Sequence, residues 1–312
     1  MNNASVLHVA AGVIAGDDGR ILITQRAKHS HQGGLWEFPG GKLEAGESPI
    51  QALCRELREE VGIEVQRASP LIKINYRYPD RHVLLDVWRV DEFAGTAFGR
   101  EGQAMRWVES ERLVDYAFPA ANLPIIAAAR LPRQYAILEG RTPVDVMRHL
   151  ERILDQGVGL IQLRVKSLPP ADLNSVYSRV STACRHRAAT LLINADLGLA
   201  AGADGIHLSS RALLSCRVRP ESSSWVAASC HDLDELRHAE KIGVDFVVLA
   251  PVLPTATHPD AVGLGWENFT ALSEQVNLPV FALGGLGLCD LDKAAAAGAQ
   301  GIAGISAFLT GA

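Results

Sequence analysis

The hydrophobic pattern changes character at "AAARLPRQYAILEG". Before it, the runs "VLHVAAGVI", "RILITQR" and "HVLLDVWRV" read as strands, rich in β-branched residues and bounded by turn-formers. Between the second and third, Ile50, Leu53, Leu57 and Val61 recur at spacings of three and four and predict an amphipathic helix from Pro49 to Val61. Ser48 and Gln51 form a capping-box pair around Pro49 at the first helical position, and Gly62 supplies a left-handed stop. This first part is therefore mixed α and β. After Leu131-Pro132 the apolar runs "YAIL", "LIQLRV", "TLLIN", "GIHL", "WVAAS", "FVVLA", "PVFAL" and "GIAGI" alternate with helical stretches. Short all-apolar strands separated by helices imply a parallel sheet covered on both faces, and eight such units close a barrel. The predicted organisation is an α+β domain over residues 1–131 followed by a compact α/β (β/α)8 TIM barrel over 134–312.

Composition narrows the chemistry. The chain has 312 residues, 48% hydrophobic and 21% charged, which suits two globular domains of roughly 150 residues each. A formal net charge of −5 and the absence of a Lys/Arg block argue against direct nucleic-acid binding or an acidic membrane partner. Cys54, Cys184, Cys216, Cys230 and Cys289 are widely spaced and form no CxxC pair, so neither a disulfide framework nor a structural zinc is expected. The N-terminal "MNNASVLHVAAGVIAG" lacks a basic leader region, and no apolar run reaches the ~18 residues of a spanning helix. A cytoplasmic location is predicted.

One stretch stands apart: "GGKLEAGESPIQALCRELREEVGI" places Glu56, Glu59 and Glu60 beside the apolar stripe of the predicted helix. Glu56 and Glu60 lie one turn apart, a like-charge pair that costs roughly 0.2–0.5 kcal/mol unless a cation sits between them. Hard oxygen ligands that leave room for water and phosphate oxygens suit Mg2+ or Mn2+. Gly40, Gly41 and Gly46 let the preceding loop turn sharply and offer a backbone carbonyl to the same ions.

The spacing Gly41, Glu47, Arg55-Glu56-Leu57, Glu59-Glu60 and Gly62-Ile63 resembles the Nudix box without a departure, and Val9 to Pro124 resembles the MutT type of Nudix hydrolase. The resemblance implies conversion of 8-oxo-dGTP to the monophosphate and pyrophosphate, by water attack at the β-phosphorus. It implies metal held by Gly40, through its carbonyl, and by Glu56, Glu59 and Glu60. Arg55 then orients the carboxylates, and Glu101 in "GREGQAMRW" is an extra ligand or base. It also implies nucleotide contacts from Arg26, His31, Glu37, Phe38, Pro39, Gly40 and Asn122. Asn122 would read the oxidised guanine edge, for which an amide offers both a donor and an acceptor. Trp36 and Phe38 are placed to flank a base.

The second half resembles thiamine-phosphate synthase and its relative the thiazole tautomerase. That resemblance implies contacts to a pyrophosphate from Gln162, Arg164 and Lys166, and a phosphate loop with Thr255 and Thr257. A phosphate site is implied at Gly284, Gly285, Ile305 and Ser306. Three departures stand out: Ala195 and Ala212 occupy the places of metal-binding aspartates, and His258 that of the phosphate-loop lysine. Loss of that metal leaves a pyrophosphate leaving group poorly stabilised, so synthase activity is not expected. Ser229 and His231 are retained at the fifth strand end, where the tautomerase uses a histidine to move a proton. The expected partners are a nucleotide for the first half and a thiazole or thiamine phosphate for the barrel. An alternative is Nudix cleavage of a thiamine-pathway pyrophosphate, with the barrel acting as tautomerase or non-catalytic sensor.

Overall fold

The computed structural model describes residues 6–199, 203–221, 225–255 and 262–309. The chain forms two compact units, Met1–Arg130 and Leu131–Ala312.

In the first unit, β1 (Leu7–Ile14) runs parallel to β6 (His82–Ala94), with β4 (Gly40–Lys42) and β5 (Glu64–Arg77) on either side in the order β4-β1-β6-β5. A smaller sheet orders β3 (Trp36–Glu37), β2 (Ile21–Gln25) and β7 (Met105–Val108). The two faces of β1 serve two cores, as the period-2 alternation of a strand requires. Ala10 and Ile14 pack with Leu53, Leu57 and Val61 of the α1 side. Ala11 and Val13 pack with Ile125 and Ala128 of α2 (Leu123–Arg130). The helix α1 spans Pro49–Glu60 and buries Ala52, Leu53 and Leu57. Ser48 and Gln51 form the expected capping box, with Gln51 Oε1 accepting from Ser48 N at 2.9 Å and from Ser48 Oγ at 2.8 Å. Gly62 follows at φ +73°.

The strand β5 had no counterpart in the sequence reading. Its run "EVQRASPLIKINYR" carries charges and Pro70, features that demote a strand when read locally. The β5–β6 pairing shifts register between Pro70 and Ile72, so the missing N–H of proline falls at an irregularity rather than inside a regular ladder.

The second unit is a closed barrel of eight parallel strands: β8 (Gln134–Leu138), β9 (Leu160–Leu163), β10 (Thr190–Asn194), β11 (Gly205–Leu208), β12 (Trp225–Cys230), β13 (Phe246–Leu249), β14 (Val280–Leu283) and β15 (Gly301–Gly304). The fold is a TIM barrel, and each strand coincides with one of the eight apolar runs. Its economy lies in the connections. Full helices α3 (Pro143–Asp155), α4 (Pro170–His186), α6 (Leu233–Ile242) and α7 (Gly265–Ser273) alternate with the short α5 (Ser210–Ser215) and α8 (Leu291–Ala296). Among the described residues only a 3-10 turn, Ala195–Leu197, follows β10. Inside, Tyr135 contacts the rings of His207, Phe246 and Phe281. No helix among the described residues is long and apolar enough to cross a membrane.

Candidate functional site

Arg55 organises the acidic edge of α1. Its guanidinium binds both carboxylate oxygens of Glu47 at 2.8 Å, Glu56 Oε1 at 2.9 Å, Glu59 Oε2 at 3.3 Å and the Lys42 carbonyl at 3.0 Å. All five donors of the planar fork are thereby spent, a task a point charge such as lysine cannot perform. The Arg55 bonds hold the Glu47 carboxyl down at about 2, and Glu47 and Glu56 in turn raise the Arg55 pKa. Glu59 is the outlying member, its side chain 60% exposed.

Glu60 turns the other way, into the protein. Its Oε2 accepts from Gly40 N at 2.9 Å and its Oε1 from Thr24 Oγ1 at 3.2 Å. Burial pushes its pKa up, the Gly40 and Thr24 donors pull it back, and the nearby charge of Glu101 adds to the rise. Glu37, opposite, is bound by Arg26 Nη1. Burial pushes Glu37 up to about 7 against the Arg26 charge, and the Glu60 carboxylate contributes to the increase.

Two glycines make this convergence possible. Gly40 has φ +149°, and a Cβ there would lie 2.1 Å from the Ala10 carbonyl oxygen. A Cβ on Gly41 would lie 2.2 Å from the Glu56 carboxyl carbon. Gly41 thus leaves room for the Glu56 carboxylate, and Gly40 for the close passage of β1, with its N–H within reach of Glu60.

Among the described residues no three His, Cys, Asp or Glu side chains converge into a ready-made metal cage. The donor chemistry nevertheless fits a hard divalent cation. Glu60 is a half-buried carboxylate under the influence of Glu37 and Glu101, and no Lys or Arg among the described residues is paired with it. An open set of Glu56, Glu60 and the Gly40 carbonyl, with Glu59 at the rim, suits an ion that retains waters and takes phosphate oxygens.

Beside this edge lies a cleft with about 640 Å3 of empty space, part of it open to solvent. It brings together Arg26, His31, Glu37, Phe38, Gly40 and Asn122 from three separate segments of chain. Its floor is apolar, with Val9, Val83 and Ile125, as ligand clefts generally are. His31 lies 3.6 Å from Asp80 Oδ2 through Nδ1 and edge-on to Tyr78, while its buried Nε2 has no partner. The Asn122 carboxamide makes no hydrogen bond among the described residues, and Asn122 N donates to Pro119 O at 2.8 Å in a 3-10 turn.

Two expected contacts fall elsewhere. Pro39 is buried and does not line the cleft; its carbonyl accepts from Gly12 N at 2.9 Å, so it serves the β1 edge. Trp36 also lies outside the cleft, edge-on to Tyr116 at 5.4 Å with Arg106 5.3 Å from its ring. The reason is strand alternation: Glu37 faces the cleft, so its neighbour Trp36 faces away. Phe38 does line it, stacked on Phe118 at 5.4 Å. The sequence reading missed Tyr78 and Arg81, which reach the cleft from the β5–β6 hairpin. The turn signal "YPDR" was available, but placing it over the cleft required knowing that β5 exists.

In the barrel, the expected ligands that the structure describes stand at or near the C-terminal strand ends, and Arg164, Lys166 and His231 have partners within the protein. Gln162 is 1% exposed and points into the barrel, since Ile161 and Leu163 on either side face the outer helices. Arg164 pairs with Glu139. Lys166 lies 4.0 Å from Asp196, whose carboxylate also accepts from Ser209 Oγ at 2.9 Å and lies 3.6 Å from Arg211. Ala195 opens the 3-10 turn and Ala212 N donates to the capping Ser209 Oγ. Gly285 (φ +64°) packs under the loop that carries Thr255, where a Cβ would lie 2.5 Å from the Pro254 carbonyl oxygen. Ile305 and Ser306 open the last 3-10 turn. Thr257 and His258 lie outside the described residues. His231 Nδ1 lies 2.9 Å from the Ala250 carbonyl, and Ser229 Oγ 2.8 Å from His207 Nε2.

Residues 10–128 match the family described as NUDIX domain, and residues 135–308 match the family described as thiamine monophosphate synthase. The chain is 46% identical over 121 residues to the 8-oxo-dGTP diphosphatase of Escherichia coli (strain K12), covering 39% of this chain and 94% of that protein. It is also 41% identical over 123 residues to the CTP pyrophosphohydrolase of the same organism, 39% of this chain and 90% of that one. To the thiamine-phosphate synthase of Herpetosiphon aurantiacus it is 32% identical over 182 residues, 57% of this chain and 88% of that protein.

Proposed function

Because the chain belongs to the Nudix hydrolases through its first half and to the thiamine monophosphate synthase family through its second, we propose that it hydrolyses 8-oxo-dGTP to 8-oxo-dGMP and pyrophosphate. One observation carries the reading: Gly40 both lines the cleft and donates its N–H to Glu60. A nucleotide whose base occupies the cleft therefore presents its phosphates to the acidic edge. Asn122 and His31 offer the base unpaired polar atoms, and a site with such atoms rejects bases that leave them unsatisfied. The similarity to a CTP-cleaving enzyme is nearly as great as that to the 8-oxo-dGTP enzyme, so specificity rests on these side chains rather than on identity.

A bound Mg2+ or Mn2+ would neutralise phosphoryl oxygens and polarise the attacking water. Gly40, Glu56, Glu59 and Glu60 are the residues that would hold it. Arg55 fixes the first carboxylates in place through its fork of hydrogen bonds. Glu101, whose charge acts on Glu60, is the residue assigned as an extra ligand or base.

Pyrophosphate release by the purified chain, compared across 8-oxo-dGTP, dGTP, CTP and the thiamine-pathway pyrophosphates, tests this. Fastest turnover of 8-oxo-dGTP is expected. Preference for a thiamine intermediate would favour the alternative that the fusion suggests, and preference for CTP would overturn the base assignment.

For the barrel a proton transfer without pyrophosphate displacement is favoured by one contact. The Ala250 carbonyl can only accept, so His231 Nδ1 is the donor, and in the neutral ring the lone pair is on Nε2. His231 at a strand's C-terminal end can then act as a base toward a thiazole phosphate. Calorimetry with that ligand followed by His231→Ala kinetics decides: binding without turnover leaves a sensor, and no binding leaves a scaffold.

A further inference from the structure

The C-terminus of the catalytic helix is capped by the loop that carries Glu101. Helix ends leave their last carbonyls without intrahelical partners, and here the segment 98–103 supplies them. Phe98 N donates to Val61 O at 3.1 Å, Arg100 N to Glu60 O at 3.0 Å, and Arg100 Nη1 to Arg58 O at 2.9 Å. Gln103 completes the set in a different manner. Its Nε2 donates to Glu60 O at 2.9 Å while its Oε1 accepts from Glu101 N at 2.9 Å. A single carboxamide thus joins the main chain of Glu60 to that of Glu101, and neither bond is made by any other side chain among the described residues.

We propose that Gln103 is a positioning residue for the hydrolysis: it fixes the Glu101 carboxylate relative to the Glu60 carboxylate across a loop that has no other side-chain tie to Glu101. This rests on the Nudix reading above and adds a residue to it. The group suits the task because an amide offers a donor and an acceptor at a fixed separation, whereas a hydroxyl or ammonium cannot span both partners in fixed order. The other three bonds hold the loop on the helix but act on Phe98 and Arg100, upstream of Glu101. Their loss loosens the cap without releasing the acid.

The comparison of Gln103→Ala with Arg100→Ala tests this. Gln103→Ala is expected to lower kcat about tenfold with KM changed less than about twofold, since misplacing a reacting group costs rate rather than binding. It should also weaken Mn2+ binding, measured by calorimetry with the ion alone, and speed amide exchange at Glu101 about tenfold. Arg100→Ala removes a cap bond of similar strength and should leave kcat within about twofold of the parent. Equal losses of kcat in both variants would make the effect one of capping and overturn the assignment. So would an unchanged kcat and Mn2+ affinity in Gln103→Ala. Glu60→Gln serves as the control for the underlying reading: if the parent and Glu60→Gln release pyrophosphate equally, the Nudix assignment itself fails and Gln103 has nothing to position.

Discussion

The two halves handle charge in opposite ways. Along α1, one arginine serves Glu47, Glu56 and Glu59, and Glu60 is held only by neutral donors. At the barrel mouth, among the described residues, cations are in excess: Arg164 pairs with Glu139, while Lys166 and Arg211 both lie against the single carboxylate of Asp196. An edge with more negative charge than its own cations offset suits an external cation, whereas a mouth with a cation to spare suits an anion. The contrast separates an acidic edge suited to a divalent cation from a barrel mouth in which an anionic ligand would compete with existing pairs.

Neutralising Glu60 should have the largest effect. Glu60→Gln is expected to reduce pyrophosphate release by on the order of 10²–10³-fold, as loss of a preorganised charged group at a reacting centre commonly does. The unfolding midpoint should be unchanged or higher, because a partly desolvated carboxylate is removed. Activity within tenfold of the parent would erase the contrast.

Acidification should drive the halves apart. His207 is buried against Tyr135 and Ser229, and burial depresses its pKa from 6.5 to about 3. Protons therefore bind the unfolded barrel first, and stability is lost as pH falls from about 6.5 toward 3, by up to ~1.4 kcal/mol per pH unit. Glu37 acts in the other direction. Its folded value of about 7 exceeds the unfolded 4.5, so the first unit gains stability as pH falls across that interval. Hydrogen exchange resolved by residue between pH 7 and 5 should show the barrel core opening more readily while strands β1 and β6 do not. Parallel behaviour in both units would refute the assignment of these two groups.

Asn122→Ala sharpens the base preference. Leaving the partner atoms of a base unpaired costs ~1–3 kcal/mol, so kcat/KM for 8-oxo-dGTP should drop roughly tenfold or more while that for a thiamine pyrophosphate stays put. An equal decrease for both would make Asn122 structural. The smallest effect is expected from Arg164→Ala, whose partly exposed pair with Glu139 should be worth under ~1 kcal/mol in thermal unfolding.

Much of this molecule was legible in one dimension. The eight apolar runs are the eight barrel strands, because a strand buried on both faces must be apolar along its whole length. The α1 stripe and its glycines were equally plain, since helix periodicity and positive φ are local properties. The helix face shared by Glu56 and Glu60 was readable from spacing, while Glu47 and Arg55 entered through the resemblance to the Nudix box.

Tertiary structure decided the rest. Only the β3 alternation shows that Glu37 and Trp36 part company, and only the pairing with β6 makes "EVQRASPLIKINYR" a strand. Gln103 gave no signal in the sequence, because its importance lies in joining Glu60 to Glu101, two positions 41 residues apart whose meeting depends on how the loop caps the helix. Local patterns fix which faces must be buried and which charges repel; which backbone groups are left unpaired, and what reaches them, is set only when distant segments are packed together.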